Sequence, residues 1–491
     1  MQANQQVASP RGVVERPRAP SVPHVHIVGC AGTGLSAIAR LFRDRGLRVS
    51  GSELVESPVL ESLRESGVEC WVGHSSRHLD GDTSFVVISA AVRPTNPEVQ
   101  AALRRRIPIL KYAECLGRLM AEKEGIAVAG THGKTTTTAM VSWILECGGL
   151  DPTFVVGGDC PTLGGRSRSG RGPHFVAEAC EYDRSFLHLR PRYAVVTNIE
   201  EEHLDYYPSL KEIQAAFSEF ASRLPEQGYL VVNRDDANSN YLSEFCRSAV
   251  GTFSLRPRGA DWWAEDIDYG RPAGPGDAAA RSESGPSFRM VGPGAESALV
   301  RLRIPGTHNV ANALAAAAVC RRIGVPLEAI AEALGRFGGV RRRFEILADG
   351  PVVVVDDYAH HPTEVLTVLR AARQRLAGRR LIAVFQPHQH ARLKRFRSRF
   401  ADVLARFDAA LVLDVYAARD AEEDIETVSS QGLVEAMRET NPQVPALYTP
   451  DFESALRALR RHAREGDAVI FLGAGSVTDL AKRYAAEASR T

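Results

Sequence analysis

At 491 residues, with 44% hydrophobic and 24% charged residues and a formal net charge of +1, the chain is too long for a single core, and roughly three globular domains are expected. The balanced charge argues against a polyanion as partner, so no nucleic acid is expected. Eight cysteines without a CxxC pair exclude a zinc ribbon or a disulfide framework and fit a reducing compartment.

Residues 1–22, rich in Gln, Pro and Arg, lack the apolar stretch of a secretory signal and are expected to form a disordered tail. No run of about 18 apolar residues occurs, so no membrane span is expected and the protein is read as cytoplasmic. Ordered sequence begins with the β-branched run His24–Val28, which empties into Gly29-Cys30-Ala31-Gly32-Thr33-Gly34. Leu35, Ile38, Ala39 and Phe42 then recur with helical period, and a second strand from Leu47 to Ser50 leads into Gly51-Ser52-Glu53. This is a βαβ opening. Its glycines are spaced GxxGxG rather than GxGxxG, which leaves three readings: a dinucleotide loop, a loop for another nucleotide diphosphate, or a plain turn. A further strand, Phe85 to Val92, carries Ser89 toward the same crevice.

A second domain begins near Met120. Its central segment is Ala127-Val128-Ala129-Gly130-Thr131-His132-Gly133-Lys134-Thr135-Thr136, a buried strand followed by a short glycine loop, a lysine and a hydroxyl run. Backbone amides freed by Gly130 and Gly133 can wrap a phosphate, Lys134 can neutralise outer phosphates, and Thr135 can hold a magnesium ion. Val128 stands where the general P-loop has its first glycine, so the loop is a short variant. The following helix is expected to bury a stripe of Met140, Trp143, Ile144 and Cys147. In the segment Phe175–Asp183 a strand delivers Glu178, a carboxylate that is costly to bury in a strand interior without a cation; the alternative is an edge carboxylate facing water. The strand Tyr193–Ile199 runs into Glu200-Glu201-Glu202-His203, where His203 is either a second metal ligand or phosphate contact, or a surface histidine. The Gly/Pro-rich stretch from about Arg256 to Ser297 is expected to be a peripheral hairpin with an insertion. In Gly306-Thr307-His308-Asn309, Asn309 either caps a helix or meets a purine edge.

From about Gly339 a third unit repeats the strand-then-polar pattern: Val352–Val355 before Asp356-Asp357-Tyr358-Ala359-His360-His361, and Leu381–Phe385 before Gln386-Pro387-His388-Gln389-His390-Ala391-Arg392. This predicts a second doubly wound unit. No HExxH or Cys/His spacing accompanies the histidines, so a structural zinc site is not expected. The basic run Arg392–Arg399 is expected to be a solvated helix face. The fold class is therefore α/β in three domains: a Rossmann-like domain (23–119), a central P-loop-type domain with a mostly parallel sheet (120–338) and a C-terminal Rossmann-like domain (339–491).

GTHGKTTTT, FVAEACEYDRSFL, VVTNIEEEHLDYY, GTHNVANALAA, GVRRRFE, DDYAHHPTE and FQPH stand in one order, and together they closely resemble the Mur family of ATP-dependent amide ligases of peptidoglycan synthesis. The resemblance runs from about residue 24 to the C-terminus. It implies an ADP-forming ligase that joins L-alanine to UDP-N-acetylmuramate through an acyl phosphate, using ATP as co-substrate and Mg2+, and working as a monomer or homodimer. It further implies that Gly29, Ala31, Gly32, Thr33, Gly34, Ser52 and Ser89 hold the UDP-sugar. Gly130, Thr131, His132, Gly133, Lys134, Thr135, Thr136, Asn309, Arg343 and Asp357 would contact ATP. Thr135, Glu178 and His203 would hold the metal, and His360 and Arg392 the amino acid. Glu53 replaces the family's usual Asp, and Gln389 stands where many relatives carry Arg. The competing readings are a sister ligase adding a tripeptide to the same sugar nucleotide or one acting on folate, an NAD-dependent oxidoreductase, and a non-catalytic nucleotide switch.

Overall fold

The structure, a computed structural model, describes residues 22–89, 91–270, 285–418, 420 and 422–489. The expected tail, apart from Val22, and the core of the Gly/Pro-rich insertion lie outside the described residues.

The N-terminal domain is a five-stranded parallel sheet: β1 (His24–Val28), β2 (Arg48–Glu53), β3 (Glu69–Val72), β4 (Thr83–Ile88) and β5 (Ile109–Lys111), in the order β3-β2-β1-β4-β5. The order reverses beside β1, so the Gly29–Gly34 loop sits at the crevice where open α/β sheets bind ligands. Helix α1 (Thr33–Asp44) buries Leu35, Ile38, Ala39 and Phe42, as its period predicts. β2 extends through Glu53, which closes the strand instead of following it. β4 stops at Ile88, so Ser89 lies in the loop beyond it.

The central domain carries a ten-stranded sheet, with β6 (Glu124–Ala129), β7 (Thr153–Cys160), β8 (Gly165–Arg168), β9 (His174–Glu178), β10 (Pro191–Val196), β11 (Tyr229–Asn233), β12 (Ala249–Ser254), β13 (Trp262–Asp268), β14 (Ser287–Val291) and β15 (Ser297–Arg301). The order is β15-β14-β13-β12-β11-β10-β6-β9-β7-β8, parallel from β13 to β7 and antiparallel at both edges. The hairpin expected around Trp262 is thus an antiparallel extension of this sheet. Helices α2 (Lys134–Cys147) and α3 (Thr307–Ile323) pack together, and both are buried almost all round, α3 through its alanine-rich body. The stripe expected on α2 is only partly observed. Met140 and Ile144 are buried, Trp143 is half-buried with its indole N–H donated to the Ala333 carbonyl at 2.8 Å, and Cys147 is exposed. A helix sandwiched between a sheet and a second helix has no single buried face, which is why the period misleads here.

In the C-terminal domain β16 (Glu345–Asp349), β17 (Val353–Asp357), β18 (Leu381–Phe385), β19 (Ala409–Val412), β20 (Ala446–Tyr448) and β21 (Ala468–Leu472) pair in the order β16-β17-β21-β18-β19-β20, parallel except at β16. Helices α4 (Pro362–Arg375) and α5 (His390–Leu404) follow β17 and β18 and aim their N-termini at the central domain. The basic face expected on α5 is solvated at Lys394, Arg395, Arg397 and Arg399, but Arg392 departs from it and is buried. Among the described residues no helix is long and apolar enough to cross a membrane.

Candidate active site

β6 delivers the chain into a loop that only glycine can make. Gly130 has φ +126°, and a Cβ there would lie 2.1 Å from Thr197 Oγ1 and 2.9 Å from the Thr197 amide. Gly133, with φ +83°, forms the N-cap of α2. The loop is held from β10: Asn198 Oδ1 accepts from the His132 amide at 2.9 Å, and the Asn198 carbonyl accepts from the Thr131 amide at 2.8 Å. The Lys134 ammonium folds back to donate to the Gly130 and Thr131 carbonyls and to both oxygens of Glu181, at 3.1 and 3.0 Å. Burial opposes the charge on Lys134, but the Glu181 carboxylate, together with Cys180 and Glu178, more than offsets this and raises its pKa.

Glu178 is the last residue of β9, at the ligand end of the strand. Its carboxylate accepts from the Gly157 amide, and Gly157 leaves room for it, since a Cβ there would sit 2.6 Å from either oxygen. Burial raises the Glu178 pKa against the hydrogen bonds from Gly157 and Thr135 and the charges of Lys134 and Arg343. A buried carboxylate whose pKa stays raised despite these partners, beside a threonine hydroxyl, is a donor set suited to a hard divalent cation. His203, in left-handed backbone at φ +54°, lies nearer Glu181: its Nε2 is 3.8 Å from Glu181 Oε1, and the metal-compatible group around it is Cys180, Glu181 and His203, without Glu178. Burial lowers the His203 pKa, which keeps the imidazole available as a neutral ligand.

Seven of the residues expected at ATP converge on one cavity of about 330 Å³: His132, Gly133, Thr135, Thr136 and Asn309 from the central domain, Arg343 and Asp357 from the third. Gly130, Thr131 and Lys134 do not line it. Asn309 does not cap α3, whose N-cap is Gly306; its amide donates to the Pro305 carbonyl at 2.7 Å and accepts from Asn312 at 3.1 Å. Asp357 accepts from the Phe344 and Ala359 amides at 2.7 and 2.8 Å. Burial pushes its pKa up to about 6, with the Arg343 charge opposing.

The central and third domains meet across charged side chains. His132 Nδ1 is 3.1 Å from Glu364 Oε1 and its Nε2 3.6 Å from Glu200, which also accepts from Thr363 Oγ1 at 2.8 Å. Arg392 donates through Nε at 3.1 Å, and through its terminal nitrogen, to Glu202. Its guanidinium is therefore engaged by a carboxylate of the central domain. His360 and His361 point to different neighbours, His360 toward Glu364 and His388, His361 toward His132 and Phe396.

In the N-terminal domain Gly32, Thr33, Gly34 and Ser89 line a pocket of about 200 Å³. Gly34 is set by Tyr112, whose ring would be 2.6 Å from an added Cβ. Ala31, in the same loop, donates its amide to Glu53 Oε2 at 3.2 Å, and Gly29 turns the chain at φ +76°. Ser52 is turned away from the pocket: fully buried, its hydroxyl donates to Glu98 at 2.6 Å.

Glu181, Glu364, Glu202 and Gly157 were not among the residues singled out from sequence. Glu181 could have been found, since it follows Glu178 at a spacing that carries it past the strand end. The others have partners on distant segments.

The fold and this site define a class. Residues 24–124 match the model described as Mur ligase family, catalytic domain; 128–320 match the Mur ligase middle domain; 342–475 match the Mur ligase, glutamate ligase domain. The chain belongs to the Mur ligase family. Among its relatives, a UDP-N-acetylmuramate–L-alanine ligase of Rubrobacter xylanophilus is 42% identical over 457 residues, 92% of this chain and 97% of its own. A protein of the same name from Chlorobaculum parvum is 41% identical over 465 residues, 94% of this chain and 96% of its own. The crystal structure of UDP-N-acetylmuramate-alanine ligase from Thermotoga maritima matches with TM-score 0.79 at 28% identity, covering 95% of this chain and 99% of that one. A murein peptide ligase from Psychrobacter arcticus matches at TM-score 0.69 and 26% identity, over 95% and 98% of the two chains.

Proposed function

We propose that this chain joins L-alanine to the lactyl carboxylate of UDP-N-acetylmuramate, with ATP cleaved to ADP and phosphate, in the cytoplasmic synthesis of peptidoglycan precursors. The observation that carries the reading is the cavity between the central and third domains. It gathers the loop at Gly133, the hydroxyls of Thr135 and Thr136, Asn309, Arg343 and Asp357 around one space. Relatives sharing about two-fifths of the sequence over nearly the whole chain bear the alanine-ligase name, which supports the choice of amino acid.

A carboxylate is a poor acyl donor, so it first attacks the γ-phosphate of ATP and leaves ADP. The alanine amine then attacks the acyl phosphate, and the tetrahedral adduct collapses with loss of phosphate. The loop amides at the head of α2 bind phosphate oxygens, and Lys134, exchanging Glu181 for phosphate, neutralises the charge that develops on the transferred group. Thr135, Glu178 and His203 would hold Mg2+, which when bound spreads the charge of the β- and γ-phosphates. Asn309 faces the purine, and Arg343 and Asp357 hold the nucleotide from the third domain. The UDP-sugar rests on the Gly29–Gly34 loop and Ser89. His360 and Arg392 orient the amino acid, Arg392 exchanging Glu202 for its carboxylate. The contacts of α4 and α5 with the central domain keep water from the acyl phosphate.

Lys134→Ala is expected to abolish ADP release that depends on both UDP-N-acetylmuramate and L-alanine. Undiminished release would reject the site, and release supported by a tripeptide but not by L-alanine would move the chain to the peptide-adding branch.

A further inference from the structure

Cys30 and Cys70 line neither the ATP cavity nor the contact between the central and third domains, yet the fold brings them together. Cys30 is the second residue of the loop after β1. Gly51 lies beside it on β2, so close that a Cβ on Gly51 would sit 2.6 Å from Cys30 Cβ and 2.9 Å from its Sγ. The Cys30 thiol therefore fills the side-chain space that Gly51 leaves empty. In the parallel pairing of β2 with β3, Gly51 is in register with Cys70. Registered residues of neighbouring parallel strands project to the same face about 5 Å apart, so the Cys70 side chain stands beside the space that the Cys30 thiol fills over Gly51. Cys30 is fully buried and Cys70 half-exposed. The Arg64 guanidinium reaches the Cys70 carbonyl at 3.4 Å.

We propose that Cys30 and Cys70 form a peroxide-driven disulfide that clamps the Gly29–Gly34 loop to β3. Cys70 is the attacking group: a hydrogen bond from the Cys30 thiol, then the Arg64 charge, lowers its pKa, whereas the Cys30 pKa is raised by the same hydrogen bond and by burial. The Cys70 thiolate attacks hydrogen peroxide, the S–O bond forms as the O–O bond breaks, and the departing hydroxide takes a proton to become water. The Cys30 sulfur then attacks the sulfenic sulfur, the S–S bond forms, and the expelled hydroxide leaves with the Cys30 proton as a second water. Two thiols and one peroxide become one disulfide and two waters. The bond draws Cys30 toward β3, and with it the adjoining Gly29 and Ala31.

Peptide mapping of the full chain after hydrogen peroxide treatment, without reductant, tests the proposal. A Cys30–Cys70 cross-linked peptide about 2 Da lighter than its two reduced halves is expected, reversible by dithiothreitol. In Cys30→Ser the oxidation is expected to stop at a Cys70 sulfenic acid that dimedone traps. No cross-link, or oxidation confined to the exposed Cys147 and Cys180, would overturn it. The effect on the loop rests on the proposed function and is read separately: the apparent KM for UDP-N-acetylmuramate is expected to rise by about tenfold on oxidation, as a displacement of a binding loop produces, with Cys70→Ser immune. A cross-link without any change in that KM would overturn the clamp while leaving the ligase reading untouched.

Discussion

Glu202 and Arg392, 190 residues apart in the chain, meet as an ion pair with each side chain only 7% exposed, and the contact joins the central domain to the third. The Arg392 guanidinium holds the Glu202 carboxylate well below the usual carboxylate range, although burial works the other way. Removing one member leaves the other charged and buried, so Glu202→Gln is expected to cost about 3 kcal/mol in thermal or denaturant unfolding. The pair Glu202→Gln with Arg392→Met should lose less than the two single changes added together, a coupling that a double-mutant cycle measures.

The role proposed for Arg392 can be tested by separating amino-acid binding from nucleotide binding. Arg392→Ala is expected to raise the KM for L-alanine by about tenfold or more while moving that for ATP little, since a charged hydrogen bond to a carboxylate is worth about 1.5–3 kcal/mol. Equal changes in both constants would remove Arg392 from the amino-acid pocket.

Gly157 and Gly130 are both glycines that a methyl group would disturb, with opposite consequences. At Gly157 the obstructed atoms are the carboxylate end of the Glu178 side chain, so Gly157→Ala should leave stability nearly unchanged and raise the Mg2+ concentration needed for half-maximal activity. At Gly130 the obstacles include the Thr197 and Asn198 amides, and φ is +126°, so Gly130→Ala is expected to cost about 2–3 kcal/mol of stability. Melting curves beside Mg2+ titrations distinguish the two.

The clasp at His132 predicts a pH dependence. Burial disfavours its charge, but Glu200 and Glu364 outweigh burial and hold its pKa up at about 9, against an ordinary 6.5. A folded pKa above the unfolded one means that the stabilisation is full below pH 6.5 and is lost as pH rises through 9. The melting temperature is expected to fall across that window, and His132→Gln to flatten the fall. An unchanged slope in the variant would show that another group titrates there.

The short glycine loop ahead of α2 could be read directly, because its positive-φ positions need Gly130 and Gly133 where they stand, and Lys134 and the hydroxyl run follow as contiguous residues. The alternation of buried strands with polar strand ends likewise marked three α/β domains, and helix α1 buries the face its period predicts, together with Ser36, Ala37 and Leu41 because it also packs against β7 and β8 of the central domain. Ser52 could not be placed by its position after a glycine: its hydroxyl turns inward to Glu98, 46 residues on, a buried carboxylate that also meets His74 and His78. Asn309 resembled a cap by spacing, yet Gly306 holds that position.

What the sequence alone determined is the chemistry each local segment can perform and the order of the domains, since both follow from contiguous residues and short-range periodicity. Which charges meet was decided only by the tertiary structure. Lys134 finds Glu181, His132 finds Glu364, and Arg392 finds Glu202 across sequence separations of 47, 232 and 190 residues. A buried charge must be neutralised by whatever the fold packs against it, and no local rule specifies that partner.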